Sequence, residues 1–171
     1  MFTTLRNRSP NQKHMSQLRL LTKRRFVPLF ATQFFGALND NVFRFAIIVF
    51  VTFKIPESTA VDTKPLVAVT TAIFILPFFL ISGIAGQIAD KYEKSRIVRT
   101  LKNIEIILAL LAGIGFYFQS FPALLIILFL MGTQSTFFGP IKYSLLPQHL
   151  KADDLTGANG PIQAGTYAAI I

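Results

Sequence analysis

The chain has 171 residues, 52% of them hydrophobic and only 15% charged, with 18 Phe, no Trp and no Cys, and its mean hydropathy is +0.52. These numbers exclude a disordered or collagen-like chain, and the missing cysteine removes disulfide frameworks, Cys-based zinc sites and thiol catalysis. With 17 Lys+Arg against 8 Asp+Glu the net charge is +9, which suits nucleic acid, an anionic membrane surface or the inner side of a membrane protein. Where the charges fall decides between them.

Residues 1–25 hold seven of the basic residues (Arg6, Arg8, Lys13, Arg19, Lys23, Arg24 and Arg25) and no acid. A long apolar run follows directly, with no folded surface to present nucleic acid, so a nucleic-acid partner is not expected. The run is also too long for a secretory h-region. Residues 1–25 are therefore expected to be a basic cytoplasmic tail.

Apolar segments then recur at about 26–53, 66–89, 97–118, 123–146 and 157–171, near the ~20 residues that cross a hydrocarbon core. They predict an all-α integral membrane protein with about five transmembrane helices. The last is incomplete: 15 residues from Gly157 make about 22 Å of helix against a ~30 Å core. A chain that stops inside a helix is expected to be a piece of a longer protein. Lys/Arg counts in the tail and the four successive loops run seven, two, five, none and one. The alternation places the N-terminus, 90–102 and 147–156 inside, and 54–64 and 119–122 outside.

Small residues recur at four-residue spacing: Ser82 and Gly86, Ala85 and Ala89, Ala109 and Gly113, and Gly160, Ala164 and Ala168. Such faces allow helices to approach closely. The first span also carries Asn39, Asp40, Asn41 and Arg44, and helical geometry puts Gln33, Gly36, Ala37, Asp40 and Arg44 on one stripe. Charges at membrane depth cost several kcal/mol unless paired. Two readings are open: a substrate- or proton-responsive site, or an i,i+4 Asp40–Arg44 pair without a binding role. The fourth span offers Gln134, Ser135, Thr136 and Lys142. Lys142 either meets an anionic headgroup or snorkels to the interface. Glu105, three residues after Lys102, reads as a local pair.

The end of the second span, Gly86-Gln-Ile-Ala-Asp90-Lys91-Tyr-Glu-Lys94-Ser-Arg96, resembles the loop between helices two and three of the major facilitator superfamily. Gly86, Asp90, Lys91 and Lys94 match its pattern. Glu93 stands where that pattern has Gly, and Ser95 where it has a base, with Arg96 the next base. The resemblance implies a cytoplasmic gating loop. Phe30-Ala-Thr-Gln-Phe-Phe-Gly-Ala-Leu-Asn39-Asp40-Asn41-Val-Phe-Arg44 and Met131-Gly-Thr-Gln-Ser-Thr-Phe-Phe-Gly139-Pro140-Ile-Lys142-Tyr143-Ser-Leu-Leu-Pro147 resemble the lysophospholipid transporter branch. They are similar in particular to the form fused to glycerophospholipid acyltransferase and acyl-carrier-protein ligase modules.

This resemblance implies the first half of a major-facilitator-type fold in the bacterial cytoplasmic (inner) membrane. The implied function is flipping of lysophospholipids for reacylation, with Asp40 and Lys142 lining the headgroup path. Asn39, Asn41, Arg44 and Gln134 complete the candidate substrate path. Alternatives are the membrane module of a multidomain acyltransferase, an inactive truncated remnant, and a facilitator with a non-lipid substrate. No Walker loop, zinc spacing or nucleophile elbow is present, so neither catalytic residues nor metal nor cofactor is expected. His149 and Asp154 match an acyltransferase His-x4-Asp spacing. Asp153 and Asp154 read better as capping the next helix.

Overall fold

The computed structural model describes residues 26–58, 62–149 and 152–171, with side chains described over 26–54, 62–141 and 160–171. The basic tail, Lys142, His149, Asp153 and Asp154 thus lie outside the described side chains. Among these residues five helices follow in order: α1 Val27–Ser58, α2 Lys64–Lys91, α3 Lys94–Tyr117, α4 Phe121–His149 and α5 Ala152–Ile170. No strand occurs among the described residues. Val27–Lys54, Lys64–Lys91 and Phe121–Ile141 are long and apolar enough to cross a membrane.

The ends of these helices follow from local chemistry. Asp62 Oδ1 accepts the Lys64 N–H at 3.1 Å, with proline in the first turn of α2, where its missing donor costs nothing. Only Tyr92 and Glu93 separate α2 from α3. Glu93 is extended (φ −65°, ψ 118°) and caps α3, accepting the Ser95 and Arg96 N–H groups at 3.2 Å each. Glycine could not make this cap, which is the physical content of Glu93's departure from the superfamily pattern. Lys94, Arg96, Arg99 and Lys102, grouped by their charge with the inner loop, belong to the first turns of α3.

Between α3 and α4, Gln119 takes φ 50°. Its N–H reaches Phe116 O, and the Ser120 N–H reaches Gly115 O, both at 3.1 Å. This is a Schellman ending with glutamine in the left-handed position.

The described residues form two compact units, those of 26–37 with those of 146–171, and those of 38–145. In the second, Phe43, Ile47 and Val51 of α1 bury against Leu108 and Ala112 of α3 and Leu124, Ile127, Leu128 and Met131 of α4. Phe116 meets Phe43 and Phe50 edge-on at 5.9 and 6.0 Å. At Gly132 the backbones of α4 and α2 approach so closely that a Cβ would stand 2.5 Å from Phe74 O. In the first unit, Gly165 of α5 abuts the Phe30 ring, and Gln33 Nε2 donates to Thr166 Oγ1 at 3.2 Å.

The small-residue faces read from spacing are corrected in part. Ala85 and Ala89 are buried, but Ala109, Gly113, Gly160, Ala164 and Ala168 face outward. The inner faces lie elsewhere, at Ala112 and Gly115 on α3 and at Ile162, Gly165 and Ala169 on α5. Gly86 has open space where a Cβ would go, so it is not a close-packing position.

Candidate functional site

Asp40 lies thirteen residues after Val27 and fourteen before Lys54, the limits of the apolar stretch of α1. That is about 20 Å of helix from either end. The i,i+4 pair with Arg44 does not form. Arg44 Nη2 donates to Asn41 Oδ1 at 2.7 Å, and its guanidinium lies over the Phe74 ring of α2, 5.7 Å from the centroid. Asp40 turns the other way. Its Oδ2 accepts the hydroxyl of Ser135 on α4.

Ser135 is the first link of a longer polar chain. Gln134 is 5% exposed, and its Nε2 donates to Glu105 Oε2 of α3 at 3.2 Å. That amide nitrogen must point at the carboxylate, because a carboxylate only accepts. Gln134 Oε1 is thereby directed to the other side, 3.5 Å from Ser135 Oγ. Glu105 Oε2 also takes Lys102 Nζ at 2.5 Å, in a pair whose side chains are 26% and 13% exposed. Lys102 in turn lies 5.2 Å over the Phe138 ring of α4. Glu105 is therefore a local pair, as the spacing implied, and also a bridge to α4. Asp40, Ser135, Gln134, Glu105 and Lys102 join α1, α4 and α3 within one unit.

The charge count of this network is uneven. Two carboxylates share one lysine, and that lysine sits on Glu105. Asp40 Oδ1 and the neighbouring Asn39 Nδ2 are buried with no hydrogen-bond partner, and each such atom costs about 1–3 kcal/mol when left unmade. An acceptor and a donor therefore stand unpaired beside a carboxylate halfway along a membrane helix, where intramembrane ionisable groups mark substrate or ion pathways. Ser135 and Glu105 were not among the residues singled out for the path. A serine beside a glutamine carries no sequence signal for its partner, and the spacing that paired Glu105 with Lys102 gave no sign of its second bond, to Gln134 on α4.

Of the proposed gating residues, Asp90 and Lys91 are exposed at the end of α2, while Lys94 is half-buried and Arg96 exposed at the start of α3. Lys91 Nζ lies 5.7 Å over the Tyr92 ring. Arg96 meets Glu93 at 3.6 Å with both side chains mostly in the open, a pair of little energetic weight. Glu93 is held below the ordinary carboxylate value first by its hydrogen bond with the Ser95 side chain, then by the N–H groups of Ser95 and Arg96. The backbone of Lys142 belongs to α4. No group of three or more metal-ligating side chains occurs among the described residues.

No family model matches the chain, and no solved structure matches it. It is 28% identical over 152 residues to the lysophospholipid transporter LplT of Yersinia enterocolitica serotype O:8, a match covering 88% of this chain and 34% of the relative. The same figures hold for LplT of Yersinia pestis (strain Pestoides F) and of Yersinia pseudotuberculosis serotype O:3 (strain YPIII). The chain thus spans about a third of the length of the curated relatives it matches. Over most of its residues, and on helices long and apolar enough to cross a membrane, it is similar to proteins named as lysophospholipid transporters.

Proposed function

We propose that this chain supplies part of the first half of a secondary transporter that carries lysophospholipids across the bacterial cytoplasmic membrane for reacylation, with its N-terminus inside. The observation that carries the reading is Asp40. It is a carboxylate halfway along α1, hydrogen-bonded to Ser135 on one oxygen and buried without a partner on the other. A bilayer-embedded helix tolerates such a group where it meets cargo or an ion.

Asn39, Asn41, Arg44 and Gln134 flank it on α1 and α4, and Lys142 continues the path along α4. The segment from Gly86 to Arg96 forms the cytoplasmic gate, its charges set on two helix ends joined by two residues. Alternating access then comes from rocking of one helical bundle against another around this site. The named relatives are transporters.

The test is uptake of radiolabelled lysophosphatidylethanolamine by spheroplasts expressing the full-length gene product. Asp40→Asn is expected to lower uptake about tenfold or more at unchanged expression, and Lys142→Ala to lower it as well. Unchanged uptake in both variants removes these residues from the path, and no uptake by the unaltered protein refutes the reading.

A further inference from the structure

We infer that Arg44 of α1 is a phosphate subsite, its guanidinium aimed by Asn41 on its own helix and by the Phe74 ring of α2. This deepens the substrate-path reading, on which it rests, by naming the part of a headgroup that Arg44 takes and by adding Phe74 as a positioning residue. Arg44 lies ten residues before Lys54, about 15 Å of helix from that end of the apolar stretch. Its guanidinium is carried across to α2 instead of along α1 toward the interface, and lies 5.7 Å from the Phe74 centroid.

The charge is held there but not neutralised. Nη2 donates to Asn41 Oδ1 at 2.7 Å, and the amide must present its oxygen because arginine only donates. Neither that amide nor the ring carries a formal charge, and among the described residues no ion pair involves Arg44. A guanidinium has five N–H donors in a planar fork that matches phosphate oxygens. Among the described residues the bond to Asn41 is the one hydrogen bond its side chain makes. Such a half-buried cation at membrane depth is costly until an anion meets it. Asp40, one turn earlier, is turned to Ser135 on α4, so neither group cancels the other. One turn of α1 thus carries both signs, each left to an outside partner. A zwitterionic headgroup presents the same pair, phosphate and ammonium on a two-carbon linker, about the reach of one 5.4 Å turn.

Phe74 is itself seated by main-chain contact. A Cβ on Gly132 of α4 would stand 2.5 Å from Phe74 O and 3.3 Å from Pro77 Cγ, so α4 fixes where this turn of α2 lies and where the ring begins. Arg44 is therefore braced from a neighbouring helix while most of its donors stay open.

The test is displacement of radiolabelled lysophosphatidylethanolamine from the full-length gene product in lipid nanodiscs. The competitors are dodecyl phosphate, inorganic phosphate and monolauroylglycerol. Dodecyl phosphate is expected to displace the label from unaltered protein at least tenfold better than either of the others. Arg44→Gln is expected to raise its inhibition constant about tenfold or more, the order for losing a charge-assisted hydrogen bond, and to leave monolauroylglycerol within about twofold. Phe74→Leu is expected to raise it about fivefold, the worth of one cation–π contact, with Phe74→Tyr restoring it to within about twofold. Asp40→Asn is expected to keep or tighten dodecyl phosphate binding, because it removes a negative charge one turn away. In uptake, Arg44→Gln and Phe74→Leu are expected to raise KM with the maximal rate within about twofold.

If Arg44→Gln does not fold, the Phe74 variants carry the same comparison. Dodecyl phosphate binding that ignores Phe74→Leu, or a loss shared equally by monolauroylglycerol, overturns the inference. Inorganic phosphate as effective as dodecyl phosphate assigns the subsite to the free ion and overturns the headgroup assignment. Unchanged KM in Arg44→Gln overturns the subsite and leaves the transport reading intact. Arg44-dependent displacement in a protein that moves no lysophospholipid supports the subsite and overturns the transport reading alone.

Discussion

Replacing Gly132 by alanine puts a methyl group where the structure has none to spare. The new Cβ would stand 2.5 Å from Phe74 O, 3.3 Å from Phe74 C and 3.3 Å from Pro77 Cγ. Ordinary contact begins near 3.4 Å, so the clash with the carbonyl alone asks for about 0.9 Å of separation between α4 and α2. The obstructing atom is backbone and has no rotamer to escape through. A gap of that size forfeits a quarter to a half of each contact across the seam, and overpacking of this kind costs about 1–3 kcal/mol. Alanine's better helix propensity returns up to ~1 kcal/mol. A net loss of about 1–2 kcal/mol is expected, read as a lower unfolding midpoint in nanodiscs. The same substitution at Gly115 meets the end of Leu124 at 2.9 Å, and at Gly165 the Phe30 ring at 2.6 Å, both side chains that can turn. These should cost less. At Gly86 and Gly113 there is open space, so alanine should be neutral or stabilising. A Gly132→Ala protein as stable as Gly113→Ala would refute the close approach of α4 to α2.

Three further outcomes follow from local geometry. Gln119→Gly relieves a left-handed non-glycine residue in the α3–α4 turn and should stabilise the protein by about 0.5–1 kcal/mol in the same unfolding assay. Glu93 titrates below its ordinary value near 4.5 in the folded chain. Its contribution is therefore present above that value and is lost as pH falls through the depressed one. The stability gap between unaltered and Glu93→Gln protein, measured from pH 7 to pH 3, should close at the acid end. Arg44→Lys keeps the charge but loses both the directed bond to Asn41 and the flat contact over Phe74. A loss of about 1 kcal/mol is expected, and none would show that Arg44's charge alone matters.

Hydropathy made the all-α fold legible, because a membrane helix announces itself by length and composition. Asp40 and Gln134 were legible for a related reason: polar groups stand out against an apolar run. Their partners were not. On α4 both faces are apolar, so nothing in the sequence says that Gln134 turns to α3 while Ser135 turns to α1. The same blindness misplaced the small-residue faces of α3 and α5, where Ala112 and Gly115 are buried in place of Ala109 and Gly113, and Gly165 and Ala169 in place of Ala164 and Ala168. Spacing fixes which residues share a face, not which face is inside. The Asp40–Arg44 pair failed for a different reason. An i,i+4 spacing permits a bond, but Ser135 and Asn41 offered each group a nearer partner.

Two kinds of helical hydroxyl stand out among the described residues. Thr32, Thr52, Thr70, Thr71, Thr133, Thr136 and Thr166 each donate to the carbonyl four residues back. They are satisfied within their own turn and address nothing beyond it as donors. Ser135 sends its proton to a neighbouring helix instead. A threonine at 135 would keep the hydroxyl yet find Met131 O waiting one turn away, as its counterparts do. In this setting the customary exchange of serine for threonine changes the addressee of the proton, so two residues counted as equivalent would here carry different messages.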